Sequence, residues 1–389
     1  MVSAMKNLYE CVVVGGGVAG STAAYHLINL GYKVALLEKT NGPHHKVCGE
    51  FLSFEALGYL KEMGIFLDDD IPVIKYFRLS SPRSKVEFTF PFPGRGMSRY
   101  QLDEELLNNA RHAGVDVFRS ICMRSYHQEE EGLIRIETIT DDFYARYLFI
   151  ATGKHDHSKE HKREGKDNSY VGLKTHIRFK DQGHEFKETT ALFSFPGGYG
   201  GICPVEDEAM NFCFLIDKKI YKALNGNFDA VLAYLRRSNR QLDAVFHQAD
   251  FIEPVCAISH IPYGFLRDQS SHRNVYFLGD QRMVIPSFTG DGMAIALSTA
   301  KNCAYEFDCR QKDRKVQVEQ IQKRLKKQMH WAFIAQGFLK YPWAIEWCMS
   351  VPVLSFFLIK TIFQKTRVSK TEDIYHDDQS VFTSDYSRR

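Results

Sequence analysis

The chain has 389 residues, of which 44% are hydrophobic and 25% charged. This balance excludes wholesale disorder and a fibrous repeat. Lys and Arg number 50 against 47 Asp and Glu, leaving a formal net charge of +3, too small to mark a nucleic-acid binder. At roughly 150 residues per domain, the length suggests two or three domains.

Residues 8–14 read as a buried strand, ended by three glycines. Residues 18–30 read as a helix stopped by Gly31, and 33–38 as a second apolar strand. Together they make a parallel strand–helix–strand unit. A polar loop over 39–50 follows, then a short helix over 53–64. Residues 72–98 alternate apolar and polar positions as an antiparallel excursion does. Helical spacing returns over 102–113, with Gly114 as stop. Strands are expected at 115–117, 123–127, 133–139 and 144–151. Residues 154–168 form a charged loop. From about 170 to 265 the pattern becomes antiparallel, with strands at 171–179, 189–195, 202–205 and 210–216 and a helix over 228–237. A strand of the first type returns at 275–279, and a helix runs from about 292 to 307.

The C-terminal part differs. Residues 310–327 are basic against only Asp313 and Glu319, with Val318, Ile321, Leu325 and Met329 on one helical face. Residues 331–363 are apolar and carry the chain's three tryptophans, with Pro342 and Pro352 inside the stretch. Two readings stay open: a peripheral membrane contact through 310–363, or a helical cap over a cavity. Lys340, Glu346 and Lys360 interrupt the apolar run, so a spanning helix is not expected.

Nine cysteines include no CxxC pair, so neither a disulfide framework nor a zinc ribbon is indicated. The N-terminus lacks a secretory pattern, and a reducing cytosol is the expected compartment, with membrane association if the tail touches lipid. His44 and His45 have no carboxylate at ligand spacing, so no metal is expected.

Gly15-x-Gly17-x-x-Gly20 lies at a strand end and opens a helix, and Glu38 ends the next strand. Gly15 permits the tight turn, and Gly17 lets the amides at Val18 and Ala19 approach a pyrophosphate. Gly20 permits close helix packing, and Glu38, followed by Lys39, is placed to accept ribose hydroxyls. The full context makes this a dinucleotide site. The chain then leaves through Lys46-Val47-Cys48-Gly49-Glu50 rather than through further strand–helix units. Gly279-Asp280 ends a late strand, and Pro286 to Gly290 and Gly292 open a helix. A strand-terminal Gly-Asp can bond a flavin's ribityl chain, and such a helix start can face the flavin's pyrimidine edge.

With these motifs, Arg99 ahead of Leu102-Asp103, and Ala151-Thr152-Gly153, the sequence over roughly 8–300 resembles the geranylgeranyl reductase branch of the p-hydroxybenzoate-hydroxylase-type FAD-dependent oxidoreductases. That group also holds aromatic monooxygenases and flavin-dependent halogenases. The resemblance implies an α/β fold: a Rossmann-type FAD-binding domain with an inserted antiparallel β-sheet substrate domain and a helical C-terminus. The FAD domain would be discontinuous, over 1–75, 99–169 and 266–309. The substrate domain would take 76–98 and 170–265, and the C-terminal region 310–389. It also implies FAD contacts from Arg99 and Asp280, and places Cys48 near the isoalloxazine ring.

The group's reductases carry a Tyr-x-Trp-x-Phe-Pro stretch. Here Tyr199 and Pro204 match it, with glycines, Ile202 and Cys203 between. The monooxygenase Asp-Gly motif is represented by Asp156 without its glycine, and the halogenase Trp-x-Trp-x-Ile-Pro motif is absent.

Cys48, Glu50 and Tyr199 are the candidate catalytic residues. Cys48 could shape the substrate side of the flavin or donate a proton, with Glu50 as a neighbouring acid. Alternatively, Cys48 is a small residue in a tight loop and Glu50 a loop or cap hydrogen-bonder. Tyr199 could donate a proton or simply wall the cavity. The expected function is that of an FAD-dependent oxidoreductase on a lipophilic or aromatic small molecule, with NADH or NADPH as electron donor. Carbon–carbon double-bond reduction follows from the nearest resemblance. Hydroxylation by a monooxygenase is the alternative, and a flavin-binding electron-transfer protein without its own turnover is a third reading.

Overall fold

In the computed structural model, residues 7–154, 163–181, 185–267, 274–314, 318–339 and 341–350, together with 361 and 365, are described. The strands are β1 (Leu8–Val14), β2 (Val34–Glu38), β3 (Phe51–Leu52), β4 (Val73–Ser80), β5 (Lys85–Gly96), β6 (Asp116–Arg119), β7 (Met123–Gln128), β8 (Ile134–Thr138) and β9 (Phe143–Ile150). They continue as β10 (Tyr170–Phe179), β11 (Thr189–Phe195), β12 (Gly198–Pro204), β13 (Met210–Asp217), β14 (Ala249–Ser259) and β15 (Val275–Phe277). The helices are α1 (Val18–Asn29), α2 (Phe54–Glu62), α3 (Arg99–His112), α4 (Lys218–Ala223), α5 (Phe228–Ser238), α6 (Arg240–Gln248), α7 (Gly292–Gln311), α8 (Val318–Leu339) and α9 (Pro342–Met349).

Two sheets organise these elements. The first runs β6-β2-β1-β9-β8-β7, with β15 also on β9. Its β6, β2, β1, β9 and β15 are parallel, and β7 and β8 are antiparallel additions. β1 is buried from Cys11 to Val14 because it lies between β2 and β9 with apolar layers on both faces. On one face, Ala23 and Leu27 of α1, Leu107 and Ala110 of α3 and Cys303 and Phe307 of α7 close over Cys11 and Val13. On the other, Val12 and Val14 pack with Met123, Ile134 and Phe277. Crossover helices covering a parallel sheet are what the strand–helix–strand reading requires.

The second sheet runs β14-β10-β13-β12-β11-β4-β5-β3. It is antiparallel except where β4 and β11 pair in parallel. Helices α5 and α6 cover one face through Val231, Leu235, Leu242 and Phe246.

The basic stretch 310–327 is not a single helix. α7 continues through Arg310 to Gln311, Lys312 caps it, and Asp313 turns with φ of 53°. α8 then begins at Val318. Its inward row, Leu325, Met329 and Ala332, packs on α2 and α7, and Leu339 with Ile345 of α9 packs beside Tyr199 and Tyr263. The inner row therefore caps the core, while Ile334, Tyr341, Trp343 and Trp347 stay exposed. No helix among the described residues is long and apolar enough to cross a membrane. Asp156 and the apolar residues 352–360 and 362–363 lie outside the described residues.

Candidate functional site

The Gly-rich turn between β1 and α1 has steric reasons for Gly15 and Gly20. Gly15 has φ of +108°, and a Cβ there would stand 2.5 Å from the Ala151 carbonyl oxygen. A Cβ on Gly20 would stand 1.8 Å from the Gly15 carbonyl oxygen, so α1 can cross the turn only without a side chain. Gly17 differs. A Cβ there would meet only Arg99 Nη2 at 3.4 Å, Lys46 Nζ at 3.6 Å and Asp103 Oδ2 at 3.9 Å. Gly17 is also the N-cap of α1, with no side-chain cap and no acidic residue in the first turn. Two cations and an open helix N-terminus thus face one spot, and a pyrophosphate fits that donor set.

Asp103 holds the two cations together. It accepts from Arg99 Nε at 2.7 Å, Arg99 Nη2 at 2.8 Å and Lys46 Nζ at 2.7 Å. Burial alone would raise its pKa, but the Arg99 and Lys46 charges and their hydrogen bonds outweigh burial and hold it below the ordinary range. Burial opposes the Arg99 cation in turn, while Asp103 and then the Cys48 thiol strengthen it. Because the folded carboxyl is depressed, its contribution is complete above the unfolded pKa of about 3.9 and is lost as pH falls through the folded value. Melting temperature is therefore expected to hold above about pH 5 and fall below about pH 4, with Asp103→Asn showing a shallower acid loss. Thermal melts across a pH series check this.

Glu38 ends β2 and is buried beneath the turn. Its Oε2 accepts from the Gly16 amide at 2.7 Å, and its Oε1 from the Thr40 amide at 2.9 Å and the Thr40 hydroxyl at 2.8 Å. Burial raises its pKa, but those bonds and Lys46 outweigh it, so the carboxylate is ionised. Lys39 beside it is exposed.

The late strand reaches the same place. Gly279 has φ of +54°, and a Cβ there would stand 2.9 Å from the Ala19 side chain, so Asp280 is set beside the start of α1. Arg163 fastens this corner, donating to the Gly153 carbonyl at 3.1 Å and the Asp280 carbonyl at 2.7 Å. Gln281 also donates to Gly153, at 2.9 Å. Arg163 sits in the charged loop and carried no sequence signal. After Pro286 a short turn ends at Gly290, with φ of +70° and a Cβ position 3.0 Å from the Phe51 ring. Gly292 then opens α7, with nothing within 4 Å of a Cβ placed there.

The three candidate catalytic residues stand at different points of this frame. Cys48 is half-buried, with its thiol on the Arg99 guanidinium and its carbonyl accepting from Asn211 Nδ2 at 3.0 Å. Tyr199 on β12 is buried, and its hydroxyl lies 3.3 Å from Ser287 Oγ. The Tyr263 hydroxyl lies 3.1 Å from the same Ser287 oxygen. Burial raises both phenols above their ordinary pKa, so they stay protonated.

Glu50 is fully buried. It accepts from Lys174 Nζ, from the Arg99 amide at 2.7 Å and from His176 Nε2 at 2.9 Å. Burial alone would raise its pKa, but the His176 bond and the Lys174 charge outweigh it, so Glu50 is a carboxylate. A carboxylate so filled is not a proton donor. His45, Glu50 and His176 bring ligand-type atoms within 4.8 Å of one another. The Lys174 ammonium already on that carboxylate opposes a divalent ion there.

Residues 10–49 match the family model of FAD dependent oxidoreductases. Digeranylgeranylglycerophospholipid reductase of Sulfolobus acidocaldarius is 32% identical over 120 residues, which cover 29% of this chain and 26% of the relative. Menaquinone reductase of Mycobacterium tuberculosis is 28% identical over 153 residues, which cover 37% of each chain. The matches thus span well under half the length of these curated relatives. Among solved structures, the flavin-dependent brominase Bmp2 superposes with a TM-score of 0.76 at 17% identity, covering 92% of this chain and 93% of that one. The myxobacterial chondrochloren halogenase CndH gives 0.73 at 16% identity, covering 94% and 92%. At such identity these two show the fold alone. Residues 10–49 thus match the FAD dependent oxidoreductase family, and parts of the chain are similar to digeranylgeranylglycerophospholipid and menaquinone reductases.

Proposed function

We propose that the protein uses FAD to reduce a carbon–carbon double bond in a lipophilic small molecule, with NADH or NADPH as the electron source. Bound and reduced FAD supplies hydride. The chain's own task is to hold the substrate, exclude water and deliver the matching proton. The observation that carries the reading is the hydroxyl set Tyr199, Ser287 and Tyr263 at the turn before α7, where the two phenols pack in a buried apolar cluster with Leu79, Leu192, Leu215 and Val284. Phenols kept protonated by burial can give a proton to the carbon that does not take the hydride, and Ser287 links one phenol to the other for its return. The reductase relatives support the same chemistry.

The likeness of nearly the whole fold to halogenases favours a second reading, an oxygen-using hydroxylase. One experiment separates them. Reduced holoprotein is mixed with a prenyl alkene under argon and under air. Alkene-dependent flavin reoxidation under argon is expected. Substrate-dependent reoxidation only in air would overturn the reductase in favour of the hydroxylase. No substrate dependence in either gas would overturn both in favour of an electron-transfer protein.

A peripheral membrane contact is part of this proposal. Lys323, Lys326 and Lys327 are exposed on α8 opposite its buried row. Further along the outer surface stand Trp343 and Trp347, 69% and 64% exposed. Basic side chains followed by interfacial tryptophans suit an anionic bilayer surface. The protein is expected to sediment with phosphatidylserine vesicles and to be released in part by high salt. Trp343→Ala with Trp347→Ala should lose binding at unchanged melting temperature, since neither ring supports the core. Failure to sediment with any anionic vesicle would end the proposal.

A further inference from the structure

The Glu50 carboxylate joins three parts of the molecule. Its residue ends the loop that carries Cys48, with φ of +57°. One oxygen caps the first amide of α3, at Arg99, whose guanidinium faces the Gly17 turn. The remaining partners, Lys174 and His176, project from β10 of the other sheet, two residues apart and so on one face of the strand. The side chains of Glu50 and Lys174 are 0% and 1% exposed. The loop is pinned to the same sheet along its length. Asn211 donates to the Cys48 carbonyl, and Met97, beside α3, donates its amide to the Glu50 carbonyl at 3.1 Å.

A buried ion pair seldom stabilises a fold more than apolar side chains of the same volume would. What it does supply is one defined geometry, because each charge is satisfied only when its partners stand in place. Here the partners are strand β10 of the second sheet, the loop that carries Cys48 and the helix end that carries Arg99. We propose that Lys174 and His176, acting through Glu50, are positioning residues that set Cys48 and Arg99 against the bound cofactor. The inference rests on the FAD reading above.

The test compares wild type with Glu50→Gln, Lys174→Met, His176→Leu and His176→Gln. FAD affinity, flavin midpoint potential and melting temperature are measured for each. Glu50→Gln and Lys174→Met are expected to hold FAD at least tenfold more weakly and to shift the potential. His176→Gln keeps an amide donor for Glu50 and is expected to restore wild-type values that His176→Leu loses. A merely structural pair would lower melting temperature and leave affinity and potential unchanged, and that result overturns the proposal. If the two single charge variants do not fold, the doubly neutral Glu50→Gln/Lys174→Met protein and the His176 pair decide it, because neither leaves an unpaired buried charge. Wild-type protein that binds no FAD would sink the FAD reading itself, and this inference with it.

Discussion

Replacing Gly17 by alanine is expected to leave a folded protein that holds FAD far more weakly. The added methyl would meet only the ends of Arg99, Lys46 and Asp103, at 3.4 Å or more, so the fold has room for it. It would, however, stand where the pyrophosphate must approach the amides of α1. Affinity should fall about 100-fold, or about 2.7 kcal/mol, while melting temperature moves by a few degrees at most. Gly20→Ala makes the contrast. Its methyl would stand 1.8 Å from a backbone oxygen, and backbone cannot swing aside as a side chain can. A loss of more than about 3 kcal/mol is expected there, the upper end of what overpacking costs. Fluorescence titration with FAD beside thermal melts of both variants separates the two roles. A Gly17→Ala protein that binds FAD as wild type does would mean that the cations over Gly17 serve each other and no phosphate.

The difference between these glycines marks what the sequence could tell. The β1–α1–β2 unit was legible because its signals are local: a short apolar run, three glycines and helical spacing within some 30 residues. A strand was expected only from 202, yet β12 starts at Gly198. A Cβ on Gly198 would stand 2.1 Å from the Leu215 carbonyl oxygen, and one on Gly200 would stand 2.6 Å from Phe214 Cβ. These glycines permit close packing on β13 rather than a bend. The start of α3 was placed three residues late, although Ser98 was there as its cap, accepting from the Gln101 amide. α6 was missed because Asn239 both ends α5 and caps α6, leaving no linker to see between them.

The site was legible in its cofactor half and not in its polar supports. Lys174 and His176 lie between Leu173 and Ile177 in β10, and the strand itself holds no acid to pair with a buried charge. Their partner Glu50 is more than 120 residues away, and only the pairing of loop and sheet brings it to them. Arg163 is likewise one basic residue among several in its loop until its contacts with Gly153 and Asp280 are seen. Backbone-bound chemistry leaves a motif, because the glycines must be where the phosphate passes. Side chains that meet across the fold leave none.

Tyr199→Phe is expected to have the second large effect, and only on the step that consumes substrate. The substitution keeps the ring in its apolar setting beside Phe288 and removes the hydroxyl that faces Ser287. If that hydroxyl delivers the proton, alkene-dependent reoxidation of the reduced protein should slow by about 100-fold, the lower end of what a positioned acid contributes. FAD affinity and the rate of flavin reduction by the nicotinamide donor should not change, since the lost atom is not part of the Gly17, Arg99 and Asp103 cradle. Tyr263→Phe should cost less, about tenfold, because it reaches Tyr199 only through Ser287. The phenols' raised pKa adds a second signature: the wild-type rate should show no alkaline fall from phenol ionisation within the range where the protein is folded. Rapid-mixing traces under argon, taken across pH for wild type and both variants, measure all of this. If Tyr199→Phe turns over as wild type does, the proton comes from elsewhere, and Cys48, half-buried against Arg99, is the group to remove next.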